Sequence, residues 1–336
     1  MRTTVSTLLI LALVAAAPIA RSDERSFDRI LDAAPGGRLT VDADGAEVSV
    51  TGGEDKQVVV HITAKGSSST LENMTLAADK TADGVAVTVK RKSGLGGMFR
   101  LGNDNVAVSV AVPRQYSSEV RTSGGDIVLR QLRGTTTGKT SGGDVRVSDV
   151  EGEVSMSTSG GDVRIEKIQG RVDARSSGGD MTVRSVHGDL DIKTSGGTVR
   201  VEDITGGVKL GTSGGDIEVA QVSGPLAART TGGNVLLKQM DGAIQANTSG
   251  GNITVELLGA NRGIDVSTSG SNIVLHLPAS TTGTLDATAS GGTVKSELPI
   301  TSTLSGESKI QGTINGGGAP IRAKTTGGNI SLLAKK

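Results

Sequence analysis

Residues 140–157 read Thr-Ser-Gly-Gly-Asp-Val-Arg-Val-Ser-Asp-Val-Glu-Gly-Glu-Val-Ser-Met-Ser. Val145 and Val147 alternate with Arg146, and Val154 and Met156 alternate with Ser155. Apolar–polar alternation is the period-2 signature of a half-buried strand. The stretch predicts two short strands, with Val150 as a lone apolar residue between them and Gly152 at a corner. Glycine supplies the positive-φ backbone that tight corners need.

The next 18 residues place Val163, Ile165, Ile168, Gly170, Val172 and Ala174 at the same offsets. The following copy places Met181, Val183, Val186, Gly188, Leu190 and Ile192 there. Thr-Ser-Gly-Gly or a close variant begins at Thr122, Thr140, Thr158, Ser176, Thr194, Thr212, Thr230 and Thr248, each 18 residues after the last. Looser copies begin at Thr268, Ala289 and Thr325, after steps of 20, 21 and 36. The last step reads as two periods with one degraded copy between. A fixed period in this range marks a solenoid, whose units bury their apolar faces by stacking on one another.

The expected fold is therefore all-β: a single-stranded parallel β-solenoid (a β-helix) with 18-residue turns over residues 121–336. Left-handed β-helices carry a six-residue subperiod that is missing here, which favours a right-handed coil. Roughly twelve turns at about 4.8 Å each make a rod on the order of 55 Å long. The core is aliphatic: two Phe, one Tyr and no Trp occur in 336 residues. A large ring would need matching space in every turn. Glycine, at 50 residues, is about double its average usage, and the repeated corners account for the excess.

The N-terminus has the form of an export signal over residues 1–20. Arg2 precedes a short apolar run, Leu8–Ala17, and an Ala-rich stretch to Ala20. That run is too short for a membrane span. The expected location is the periplasm, the cell surface or the outside of a bacterium. Without Cys there is no thiol for a lipid anchor, a disulfide or thiolate chemistry. The 35 basic residues balance 35 acidic ones, which argues against nucleic acid as partner, since phosphate binding wants a basic excess.

Residues 26–120 differ. Arg38–Val50, Val58–Thr63, Val85–Val89 and Val106–Val112 alternate as strands do, and Asp83-Gly84 suits a turn before Val85. This region forms either irregular first turns of the solenoid or a small β cap over its first layer. The loop Ser93–Asn105 carries Leu95, Met98 and Phe99, either folded back over the open end or presented to a membrane or partner.

Several residue columns invite chemistry. The position after Gly-Gly holds Asp126, Asp144, Asp162, Asp180 and Asp216, which suggests calcium or a carboxylate cluster of a polysaccharide lyase or hydrolase. It also holds Asn234, Asn252, Asn272, Asn329, Thr198 and Thr293. Asp, Asn and Thr share a short side chain that hydrogen-bonds nearby backbone amides, so turn capping explains more. The calcium-binding Gly-Gly-x-Gly-x-Asp repeat has half this period. Lys139, Arg175, Lys193 and Arg229 precede the repeat phrase, and Arg146, Arg164 and Arg200 share another outward column. Both read as a solvated face of ion pairs, with gripping of an anionic glycan as the alternative. A Thr-x-Thr ice-binding face does not fit, because Thr-Ser runs straight into a Gly corner. His61, His187 and His276 fall in different turns and support no metal site or triad. No catalytic, cofactor-binding or metal-ligating residue is assigned, and no cofactor is expected.

The strand Val106–Val112 ending in Pro113, the run Val120–Ile127 and the Thr-Ser-Gly-Gly-Asp/Asn copies resemble the bacterial "putative adhesin" β-strand-repeat family, a domain of unknown function. The resemblance spans roughly residues 38–334. It implies a parallel β-solenoid of the cell envelope and brings no catalytic residues. The expected function is a non-enzymatic exported scaffold or adhesin-like module whose partner is an envelope or surface protein, or a glycan. The alternative is a β-helical polysaccharide-binding or polysaccharide-cleaving enzyme. Its site would lie at the two insertions, Leu257–Gly263 and Leu277–Gly283. Lys335 and Lys336 are expected to blunt the last turn, giving a monomer or small oligomer.

Overall fold

The computed structural model describes residues 23–92 and 105–335. The proposed signal segment, and residues 93–104 of the Ser93–Asn105 loop with Leu95, Met98 and Phe99, lie outside the described residues.

Two long sheets of 15 and 16 strands stack face to face around one aliphatic core. Each repeat contributes one strand to each sheet. In the quoted copy these are Val145–Glu151 and Val154–Ser157. Val145, Val147, Val150, Val154 and Met156 all point inward and are buried. Successive copies pair in parallel, Val145 with Val163 and Val154 with Val172. Identical offsets thus stack as columns.

The lone apolar residue belongs to the longer strand. Asp149 just before it has φ 57°, in the left-handed region, and the ladder passes from Ser148 to Val150 without it. Gln131, Lys167, Ser185, Asp203, Gln221 and Gln239 occupy the same position with φ of 54–59°. This kink turns Val150 and its equivalents onto the core, which a straight period-2 strand would not do. Gly152, at φ 142°, then makes the corner into the second strand.

The Thr-Ser-Gly-Gly phrase is explained by close stacking. A Cβ on the second glycine of one copy, Gly161, would lie 2.1 Å from the Gly143 carbonyl of the turn before. The threonine hydroxyl is buried and bridges the same place. Thr158 Oγ1 donates to the Gly143 carbonyl at 3.0 Å and accepts the Gly161 amide at 3.2 Å.

Both ends of the rod depart from chain order. Arg38–Ala43 and Glu47–Gly53 form a turn that pairs with the first regular turn, Ser117–Thr122 and Ile127–Arg133. On its other side lie Gly84–Arg91 and Asn105–Pro113. Beyond these, Met74–Lys80, Gln57–Gly66 and Asp23–Asp32 add antiparallel strands. A short helix, Ser68–Glu72, starts at Ser67, whose hydroxyl accepts the Thr70 amide. Arg25 donates to the Leu71 and Met74 carbonyls at 3.0 and 3.1 Å, tying the outermost strand across this end.

At the other end the final turn is internal. Pro320–Thr325 lies between Ile264–Thr268 and Gly283–Ala289, and Ile330–Lys335 lies between Ile273–Pro278 and Val294–Ser296. Two expectations are corrected here. The 36-residue step holds no degraded turn: it contains an antiparallel hairpin of Ile300–Ser305 and Lys309–Ile314 that forms the outer edge of the 16-stranded sheet, while Val294–Ser296 ends the 15-stranded one. Leu332 is not an uncovered last layer but is fully buried, paired on both sides. Lys335 thus follows a strand that is already covered and pairs with Glu256; Lys336 lies outside the described residues.

Candidate functional site

The alternation that buries one set of residues sends the other set outward in columns. The column after Gly-Gly is a ladder between turns. Asp126 accepts the Asp144 amide at 2.8 Å, Asp144 that of Asp162 at 2.9 Å, and Asp162 that of Asp180 at 2.8 Å. Asp216 to Asn234 and Asn234 to Asn252 continue it. The capping role expected of these side chains is thus played one turn onward, not within their own corner. Asn fills the place as well as Asp because only an acceptor oxygen is used.

The basic columns form ion pairs on the surface. Arg146 reaches Asp126 at 3.2 Å and Asp144 at 2.8 Å. Arg164 meets Glu166, and Arg200 meets Asp180 and Glu218. In the other column Arg175 grips Asp173 through two nitrogens and Lys193 approaches Asp191. Lys139 and Arg229 stand in that column, beside Ser157 and Asn247. These pairs are half exposed, so each is worth about 0–1 kcal/mol.

The histidines stay apart. His61 faces Asp28 across the outermost antiparallel pair, His187 lies in the column of Gln169 and Thr205, and His276 lies beside Glu256 and Leu333. Among the described residues no group of three or more His, Asp or Glu is arranged to hold a metal ion. No helix among them is long and apolar enough to cross a membrane.

The feature that stands out is a groove on the outer face of the sheet of short strands. Its open volume is about 560 Å³. The position after the corner glycine carries Glu153, Arg171 and Asp189 in the early turns. It then becomes Gly207, Pro225 and Ala243, and Gly263, which follows Arg262, stands next in the same column by register. The neighbouring outward column shrinks to Ala227 between Lys209 and Gln245. Loss of long side chains over consecutive turns leaves a trough with a small, largely apolar floor. Charged residues mark its two ends: Arg171, Asp189 and Asp191 at one, Asp265 and Arg322 at the other. Arg171 to Pro320 spans seven stacked positions, or roughly 29 Å at about 4.8 Å per step.

Both insertions converge on the far end of this groove. Asn261 donates to the Thr282 and Ala319 carbonyls at 3.0 and 2.8 Å, joining the first insertion to the second and to the approach of Pro320. Leu258, within the first insertion, is exposed. The groove itself escaped the sequence reading. Its signal was present in aligned copies, as consecutive small residues at a position where earlier copies carry charge.

The sequence pattern of the Toastrack DUF4097 family matches residues 37–228 and again residues 208–333. The chain belongs to this family. The resemblance carried by the repeated Thr-Ser-Gly-Gly-Asp copies therefore holds. Solved structures similar to this Toastrack protein include a putative adhesin from Parabacteroides distasonis, 10% identical, with a TM-score of 0.32 over 92% of this chain and 97% of that one. A putative adhesin from Bacteroides fragilis is 13% identical, with a TM-score of 0.30 over 92% and 97%. A putative cell adhesion protein from Clostridium sporogenes is 10% identical, with a TM-score of 0.23 over 94% and 100%. No curated protein matches the chain.

Proposed function

We propose that this Toastrack protein is an exported, non-enzymatic interaction module of the bacterial envelope, a scaffold or adhesin-like rod. Residues 1–20 serve as its signal peptide, residues 26–120 as its N-terminal β region, and residues 121–336 as its solenoid repeats, whose regular 18-residue turns coil right-handed. The observation that carries the reading is the groove from Arg171 to Pro320. It is a long trough on the flat face of a rigid rod, shaped by the loss of side chains in consecutive turns. The carboxylates most suited to catalysis support the same reading, because Asp126, Asp144 and Asp162 already accept amides of the next turn. The occupant is an envelope or surface protein. A glycan is the second candidate, favoured by the meeting of both insertions at the groove's end.

The test is position-dependent cross-linking in cells. A photo-reactive residue replaces Ala227 inside the groove or, as control, Arg164 on the opposite sheet. Capture of one envelope protein at Ala227 and not at Arg164 supports the reading. Equal capture at both positions defeats it. Silence at both moves the weight to a glycan, checked next by binding to a polysaccharide panel before and after Ala227→Arg.

A further inference from the structure

The turn of Pro320–Thr325 and Ile330–Lys335 fills a slot between two turns that precede it in the chain. All four of its main pairings are parallel, with Ile264–Thr268, Gly283–Ala289, Ile273–Pro278 and Val294–Ser296. None is with the residues that lead into it. The lead-in is a hinge. Asn315, Gly316, Gly317 and Gly318 have φ of 47, 87, 91 and 150° in succession. A Cβ on Gly316 would meet nothing within 4 Å and one on Gly317 only Thr313 at 3.6 Å, whereas one on Gly318 would meet Thr282 Oγ1 at 3.1 Å, so the hinge is open at its middle and touches the rod at its ends. Swinging about these residues breaks no core contact of their own.

If this turn is withdrawn, the slot presents two unpaired parallel edges and buried apolar rows, Ile264 and Val266 on one wall, Leu285 and Ala287 on the other. Open edges of this kind recruit a matching strand. The same turn from a second copy matches every pairing, and exchange of an identical element is a low-cost route to a dimer. We infer that two copies of this chain trade their 320–335 turns through their Asn315–Ala319 hinges. Pro320 and Arg322 line the end of the groove, so each groove in that dimer is finished by the other chain. Latches hold the turn in its own slot. Asn315 donates to the Ala279 and Thr281 carbonyls at 3.0 and 2.9 Å, and Asn261 holds Ala319.

The absence of cysteine makes the exchange readable. Ser267 and Lys324 are register partners on adjacent strands, close enough for a disulfide. The full chain carrying Ser267→Cys and Lys324→Cys is prepared with two different tags, mixed, unfolded, refolded and oxidised. Exchange gives a disulfide-linked dimer bearing both tags, and its share rises with protein concentration during refolding. Replacing Asn315 with Gly removes two latches and raises that share further. Disulfides confined within single chains at every concentration, in both hinge forms, overturn the inference. So does a dimer that comes apart without reducing agent. Asp265→Cys with Arg322→Cys, the neighbouring partners, repeats the test if the first pair does not oxidise.

Discussion

Thr158 Oγ1 stands 3.0 Å from the carbonyl oxygen of Gly143, fifteen residues earlier and one turn away. The same hydroxyl receives the Gly161 amide of its own turn. One side chain thus satisfies a carbonyl of one turn and an amide of the next at a tight corner of the rod. Thr140, Ser176, Thr194, Thr212, Thr230 and Thr248 make the equivalent bond to the turn before. Thr158→Val keeps the shape and removes the hydroxyl, leaving both backbone groups unpaired. Unfolding in urea is expected to show a loss of about 1–3 kcal/mol. Thr158→Ser, which the chain already uses at residue 176, removes only a methyl group and is expected to lose less than about 1 kcal/mol. Equal losses for the two variants would show that the hydroxyl is not what matters.

The two glycines of the phrase are predicted to behave differently. A Cβ on Gly160 has its nearest neighbour at 3.8 Å, an ordinary contact, whereas a Cβ on Gly161 meets the Gly143 carbonyl oxygen at 2.1 Å. Gly161→Ala must push two turns apart and is expected to cost about 3 kcal/mol or more, the upper end for overpacking. Gly160→Ala is expected to fall within about 0.5 kcal/mol of the parent. Thermal unfolding of the pair checks this, and matching melting temperatures would refute it.

Tyr116 is fully buried, and its hydroxyl has no hydrogen-bond partner. Burial pushes the phenol above its ordinary value of 10.0. The folded chain therefore holds this proton more tightly than the unfolded chain. The associated stability is complete below pH about 10 and declines as the pH rises from there towards the folded value. As the one tyrosine in the sequence, Tyr116 can be titrated by its ultraviolet absorbance. Its ionisation should lie above pH 10 and coincide with unfolding. Tyr116→Phe removes an unpaired polar group and is expected to be neutral or slightly stabilising at pH 7, with a shallower alkaline decline. An unshifted titration in the folded protein would sink the prediction.

The repeat was legible because its cause is local and recurs. Val145 and Val147 alternate, the second Gly touches the turn before, and each copy restates the rule. The kink at Asp149 was not legible. Gln, Asp, Lys and Ser occupy that position in different copies; of these only Asp, at residues 149 and 203, is a type that left-handed backbone favours, and Gly and Asn never appear there. There the stacked neighbours impose the conformation and the residue tolerates it. The swapped order at the ends was hidden for a different reason. Period and pattern say which segments are turns, but Thr325 looks the same whether it only follows Ala289 in the stack or, as found, sits between Ala289 and Thr268 and donates to the Ser271 carbonyl. Which turn lies next to which is decided by the long connections, and the 300–314 hairpin carries no repeat to announce it. The groove was readable in principle, but only by reading down a column across copies rather than along the chain.

Strict register between equivalent residues gives the rod a graduated scale. Each interior copy adds one strand to each sheet, so adding or removing one whole copy between Thr122 and Ile253 preserves every neighbour relation and changes the length by about 4.8 Å. A fractional copy would instead throw every column downstream out of alignment. The rearranged ends stay as they are while the middle lengthens or shortens by whole marks. The molecule can in this way be fitted to a span as a ruler is cut, without altering either of its tips.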